Sequence, residues 1–82
     1  MKVKIKVYLK EGILDPQGKA VLHAINHLDY KGVQDVRIGK YIEIVFEDGK
    51  KADIYKKANE ISNKLLANPV IENYDIEIEE PA

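Results

Sequence analysis

Few side chains in this sequence combine a reactive type with a spacing that supports chemistry. His23 and His27 lie four residues apart, which is a possible spacing for two metal ligands on one helix. The glutamate that a zinc hydrolase adds to such a pair is missing, and no third ligand is evident. On ligand count we therefore predict no metal site in this chain.

Nucleophilic and phosphate-binding motifs are missing as well. Ser62 is the only serine, it falls in the middle of a predicted helix, and the sequence has no cysteine or threonine. There is no glycine-rich phosphate loop, and no two carboxylates are set apart by their pattern as an acid and base pair. We therefore predict no catalytic and no cofactor-binding residue, and we interpret the chain as a non-catalytic module.

Length and composition indicate a small domain that needs support. A chain of 82 residues forms one domain, residues 1–82, and hides only about 60% of its unfolded surface. Without cysteine it cannot form a disulfide, so self-association is the expected source of further stability. The sequence has no apolar run of membrane-helix length and no signal-peptide pattern. We therefore expect a cytoplasmic protein without a membrane partner.

The first half of the chain predicts one strand and one helix. Apolar residues alternate with lysine and tyrosine through residues 2–10, which is typical of a strand with one buried face. Asp15 and Pro16 are a favourable N-cap and first helical residue. The helix should run to about Leu28 and bury one apolar stripe. The stripe consists of Ala20, Val21, Ala24, Ile25 and Leu28.

The second half predicts a helix and a last strand. The helix covers about residues 51–67, and Asn68-Pro69 ends it because the residue before a proline disfavours helical dihedral angles. We assign Asn68 and Pro69 a structural role. Acidic and apolar residues alternate through 74–79, which predicts the strand.

The stretch between the two helices alternates with period two and is interrupted at Gly39. It is either one long strand over about residues 33–47, bent at Gly39, or a hairpin with its loop at 39–41. A hairpin of this kind favours glycine at the last loop position, whereas here glycine comes first. We favour the bent strand and predict that Gly39 has a backbone conformation that a side chain would strain.

These elements predict an α+β protein. Two helices on one face of a mainly antiparallel sheet form a two-layer sandwich of order βαβαβ, or the ferredoxin-like βαββαβ if residues 33–47 form a hairpin. A strand over 33–47 is too long for one small domain, so its overhang should pair in an oligomer.

The charges of the chain are unevenly distributed. Residues 1–40 have a net charge of +4 and residues 41–82 a net charge of −5. If the first and last strands are neighbours, the lysines of one lie beside the acids of the other. Because this pairing accounts for the asymmetry, we expect no nucleic-acid partner. An RNA-binding module and a ligand-sensing ferredoxin-like dimer remain alternatives.

Three stretches together resemble the PurS family, the small subunits of phosphoribosylformylglycinamidine (FGAM) synthase. They are residues 14–20 (LDPQGKA), 35–41 (DVRIGKY) and 66–74 (LANPVIENY). The resemblance implies a role in de novo purine synthesis beside the glutaminase PurQ and the synthetase PurL. It also implies a homodimer or a dimer of dimers that assists ammonia transfer. The complex would use ATP, magnesium and glutamine, none of them bound by this chain.

We predict that partners dock where the first helix begins and on the central strand. Arg37 is the only arginine, lies opposite the core face, and suits planar contacts better than lysine does. The alternative is that Arg37 pairs with Asp35 or Glu43 within the oligomer. The predicted partner-binding residues are Asp15, Pro16, Gln17, Gly18, Arg37, Lys40 and Tyr41.

Overall fold

The computed structural model describes residues 1–80, which form a three-stranded antiparallel sheet and two helices. The elements are β1 (Lys2–Leu9), α1 (Pro16–His27), β2 (Lys40–Val45), α2 (Lys51–Ile61), a π-helix (Ser62–Leu66) and β3 (Glu72–Glu79). The strand order is β2-β1-β3. The predicted α+β class with a mainly antiparallel sheet is therefore confirmed. Among the described residues, no helix is long and apolar enough to cross a membrane.

The core lies on the face of the sheet that α2 covers. Alternation places Val3, Ile5 and Val7 on this face of the central strand, where each is at most 1% exposed. Ile54 and Ala58 of α2 pack against them from the other layer. The fully apolar core is small, so further apolar burial would stabilise the fold.

The opposite face of the sheet is charged and faces solvent. Lys2, Lys4 and Lys6 of β1 lie directly opposite β3 acids, in the pairs Lys2–Glu79, Lys4–Glu77 and Lys6–Asp75. Lys4 forms an ion pair at 3.5 Å with Glu79, which lies two residue pairs along the ladder. The predicted neutralisation of one end of the chain by the other is confirmed.

The strand predicted over residues 33–47 is much shorter. Only Lys40–Val45 pairs with β1, and residues 33–39 are neither strand nor one arm of a hairpin. The reason is a contact with a residue distant in the chain, because the Ile38 N–H donates to the Asp15 carboxylate at 2.7 Å rather than to a neighbouring strand. Both sequence readings of 33–47 are therefore wrong for the single chain, although this stretch is one segment without a turn at 39–41.

The predicted conformational strain at Gly39 is also wrong, because its φ lies outside the left-handed region. The constraint is steric instead. A Cβ at position 39 would lie 2.8 Å from the carbonyl oxygen of Val7 on the central strand. Gly39 thus allows the chain to enter β2 in close contact with β1.

Helix α1 begins as predicted but does not bury its apolar stripe within the chain. Val21 is 40% exposed and Leu28 is 69% exposed. The helix extends the molecule, whose dimensions are 50 × 31 × 15 Å. The radius of gyration of 16.3 Å exceeds the value of about 12 Å typical of a compact chain of this length. The predicted burial therefore does not occur within one chain.

Helix α2 ends in a π-helical turn that changes which residues face the core. The Ala67 N–H donates to the Ser62 carbonyl at 2.9 Å, a bond across five residues. The wider turn places Leu65 away from the core, and its side chain is 78% exposed. The chain then turns at Asn68, whose Oδ1 accepts from the Val70 N–H at 3.1 Å. Asn68 thus stabilises the turn that follows the helix, and the structural role predicted for it stays a prediction.

Candidate partner-binding surface

Asp15 organises the surface at which α1 begins. Its Oδ1 accepts from the Gly18 N–H at 2.9 Å, which is the N-cap bond, and its Oδ2 accepts from the Ile38 N–H at 2.7 Å. The residue is only 5% exposed. The Ile38 bond, followed by the Gly18 bond, lowers the pKa of this carboxyl below its usual value, and the positive charge of Arg37 adds to the effect. Asp15 is therefore the buried link between α1 and the segment before β2.

Gly18 allows these two segments to approach each other. It is the buried residue of α1, and a Cβ at this position would overlap the carbonyl oxygen of Val36. A glycine in the first helical turn costs about 1 kcal/mol relative to alanine, and this close approach accounts for its presence. We call the region where residues 10–18 meet residues 35–40 the α1 junction.

Arg37 also holds the α1 junction together. Its Nη1 donates to the Ile13 carbonyl at 3.0 Å, and its Nη2 donates to the Lys10 carbonyl at 3.2 Å. The guanidinium therefore fixes the loop between β1 and α1, through contacts that the sequence did not predict. The alternative pairing of Arg37 with Asp35 or Glu43 concerns an oligomer and stays a prediction; within the single chain, residues 1–80 show no such ion pair.

Gln17 and Lys40 are the exposed polar members of the α1 junction. They line a groove of about 230 Å³ together with Pro16, Tyr8 and Glu72. Lys40 lies opposite Val7 in the ladder, at the end of β2, and its side chain is exposed. Within residues 1–80, neither Gln17 nor Lys40 makes a side-chain hydrogen bond or ion pair, so both are available to a partner.

Tyr41 lies apart from this groove. It is opposite Lys6 on the charged face of the sheet, and its hydroxyl donates to the Glu43 carboxylate at 2.9 Å. This bond is the main reason why the pKa of Glu43 is lowered, with the charge of Lys2 as the next cause. The structure thus brings six of the seven predicted residues to one region and leaves Tyr41 on another surface.

Two lining residues of the groove, Tyr8 and Glu72, were not predicted from the sequence. Glu72 begins β3 and accepts from the Asn68 N–H at 2.7 Å, which links the groove to the Asn68 turn. Lys10 adds a second link, since its Nζ donates to the Pro69 carbonyl at 2.9 Å. The contact between Lys10 and Pro69 joins residues 59 positions apart, so no local pattern could have indicated it. Tyr8 alone gave a signal, as the one aromatic residue in a row of lysines.

The fold and this surface define a class of protein, namely a small, elongated α+β domain that offers an exposed groove and an unburied helix to other chains. Residues 2–80 match the family described as PurS: Phosphoribosylformylglycinamidine (FGAM) synthase. The PurS subunit of this synthase from Bacillus subtilis is 53% identical over 79 residues, covering 96% of this chain and 93% of that protein. The chain belongs to the PurS family.

Solved structures support the same assignment. The crystal structure of Methanocaldococcus jannaschii PurS has a TM-score of 0.88 and 34% identity, covering 99% of this chain and 98% of that one. A chain in the structure of PurLQS from Thermotoga maritima has a TM-score of 0.83 and 28% identity, and 93% of each chain is covered.

Proposed function

We propose that this chain is the small, non-catalytic subunit of FGAM synthase and acts together with the synthetase PurL and the glutaminase PurQ. The observation that carries the proposal is the family match over residues 2–80. The likeness to a chain of PurLQS from Thermotoga maritima supports the choice of partners. The chain would work in the cytoplasm, in de novo purine synthesis.

The chemistry belongs to the partners. PurQ releases ammonia from glutamine, and PurL uses ATP and magnesium to activate the amide of formylglycinamide ribonucleotide, so that ammonia displaces the activated oxygen. Ammonia that escapes into water is protonated and is no longer a nucleophile. Transfer therefore requires two active sites held in a fixed relation with water excluded. This chain would supply that relation as a bridge and bind no cofactor itself.

The subunit would act as a homodimer or a dimer of dimers. Its apolar core is small, and its radius of gyration of 16.3 Å is that of an extended molecule. Leu28 and Tyr30 are 69% and 65% exposed at the end of α1. A second copy that covers these side chains would bury apolar surface that the single chain leaves in water.

The α1 junction would be the docking site for a partner subunit. Asp15 and Gly18 form its buried interior and the exposed Arg37 holds the loop beside them, whereas Gln17 and Lys40 are exposed without a side-chain contact in the described part of the chain. Docking would therefore depend on Gln17 and Lys40 directly and on Asp15, Gly18 and Arg37 through the shape they maintain. Because Gln17 and Lys40 can be substituted while the other three residues are kept, the docking surface can be tested in variants that retain the fold.

Reconstitution tests the function. Purified PurL and PurQ are assayed for FGAM formation with glutamine and with ammonia, in the presence and absence of this chain. We expect the chain to be required for glutamine-dependent synthesis and to co-purify with both subunits. Full glutamine-dependent activity of PurL and PurQ without it would contradict the proposal.

A double variant tests the docking site. Gln17→Ala with Lys40→Ala should keep the fold and oligomeric state but reduce glutamine-dependent synthesis more than ammonia-dependent synthesis. The matched control is Lys56→Ala with Lys57→Ala, two exposed residues on α2, and it should have no effect. If both double variants behave alike, the docking assignment is wrong, while the role of the subunit stands on the reconstitution alone.

A further inference from the structure

The two histidines of α1 form a contact that the partner-binding surface does not use. The Nε2 atoms of His23 and His27 lie 3.1 Å apart, and the ring centroids are 4.5 Å apart with an interplanar angle of 79°. Both side chains are exposed on the helix. The two Nε2 atoms therefore lie within hydrogen-bond distance of each other at a place that solvent can reach.

The distance between the two nitrogens suits a metal ion. Metal-to-imidazole bonds are about 2.0–2.1 Å long, so two nitrogens 3.1 Å apart subtend an angle of about 98° at a shared ion. This angle lies between the values for square-planar and tetrahedral coordination. A bound ion requires both rings as the tautomer protonated on Nδ1, so one ring changes tautomer and no net proton is lost.

We propose that His23 and His27 form an open, two-ligand site for a divalent transition-metal ion. The number of candidate ligands in the sequence predicted no metal site. The structure adds the short distance of 3.1 Å between the two Nε2 atoms. Within residues 1–80, no cluster of three or more histidine, cysteine or acidic residues is present, so water completes the coordination. With two imidazole ligands and open positions, Cu²⁺ binds more tightly than Ni²⁺ or Zn²⁺, following the usual order of divalent ions.

The site lies on the part of the fold that packs least within the chain. A link between residues 23 and 27 spans one helical turn and joins side chains that are neighbours on the helix surface. An ion that binds the folded helix and not the unfolded chain raises the melting temperature. The ion therefore stabilises α1 where its own packing contributes little.

Copper titration of the full chain at pH 7.5 tests the proposal. Isothermal titration should give one Cu²⁺ per chain, and electron paramagnetic resonance should show two imidazole nitrogens. His27→Gln and His23→Gln should each weaken binding by at least about tenfold, since each removes one of two ligands. The matched control Asn26→Ala, also exposed on α1, should bind as the wild type does.

Two results would overturn the proposal. One is equal copper affinity in the wild type and in both histidine variants, which would place the ion elsewhere. The other is a resonance spectrum with one imidazole nitrogen or none. Circular dichroism of each variant separates loss of a ligand from loss of the helix.

Discussion

A methyl group added at position 39 is the sharpest test of how the chain enters the sheet. In Gly39→Ala the new Cβ would lie 2.8 Å from the Val7 carbonyl oxygen and 3.6 Å from the Tyr8 Cβ. The first distance is too short for a carbon and an oxygen that are not bonded. Val7 cannot move easily, because it pairs with Lys40 on one side and with Tyr74 on the other.

The expected cost follows from this overpacking. Inserting a methyl group into a well-packed site destabilises a protein by about 1–3 kcal/mol. For a domain of this size each kcal/mol lowers the melting temperature by about 4–8 °C. We therefore expect Gly39→Ala to melt roughly 5–20 °C below the wild type.

Gly49→Ala is the matched control. The nearest heavy atom to a Cβ at Gly49 is the Ile54 Cδ1 at 3.8 Å, an ordinary contact, and its φ is not left-handed. This change should be neutral or stabilise by about 0.4–1 kcal/mol through the unfolded state. Thermal and urea unfolding at one fixed protein concentration compare the variants, because association shifts apparent stability. Equal melting temperatures for the two variants would refute the steric argument.

Three further changes test individual contacts. The lowered pKa of Asp15 means that its charged form stabilises the fold above its ordinary pKa and that this contribution is lost as the pH falls through the lower folded value. The urea midpoints of the wild type and Asp15→Asn should therefore differ at pH 7 and converge below about pH 4, and a constant difference would argue against the Asp15 bonds. Ser62 Oγ is buried without a hydrogen-bond partner among the described residues, so Ser62→Ala should raise the free energy of unfolding by about 1–3 kcal/mol, and a loss would reveal a missing partner. Asn68→Ala removes the bond to the Val70 N–H and should cost about 0.5–1.5 kcal/mol in urea unfolding, whereas no change would show the turn forms without it.

The sequence predicted the regular elements well because their patterns are local. Strict alternation located β1 and β3, and the cross-strand charge pairs followed from their composition. Asp15 and Pro16 marked the start of α1 for the same reason. Where a local rule decides the structure, a single sequence is sufficient.

The sequence predictions failed where contacts between residues distant in the chain determine the structure. Residues 33–39 alternate like a strand, but a paired and an unpaired extended segment have the same pattern, and the bond from Ile38 to Asp15 spans 23 positions. The apolar stripe of α1 predicted a buried face. It did not indicate whether the same chain or a second chain covers that face. The contacts of Arg37 within the chain were not predicted, because backbone carbonyls, its acceptors here, leave no signature in a sequence.

The central position of β1 has a consequence for the order of folding. The backbone of Val3 is paired on both sides only when Ile44 and Ile78 are both in place. A ribosome makes β1 first and β3 last, so one edge of β1 stays unpaired until nearly all of the chain has been synthesised. Contacts between such distant residues slow folding, because the intervening chain must first be closed into a loop. During synthesis, the alternating lysines of β1 keep this strand soluble and disfavour its pairing with a second nascent chain.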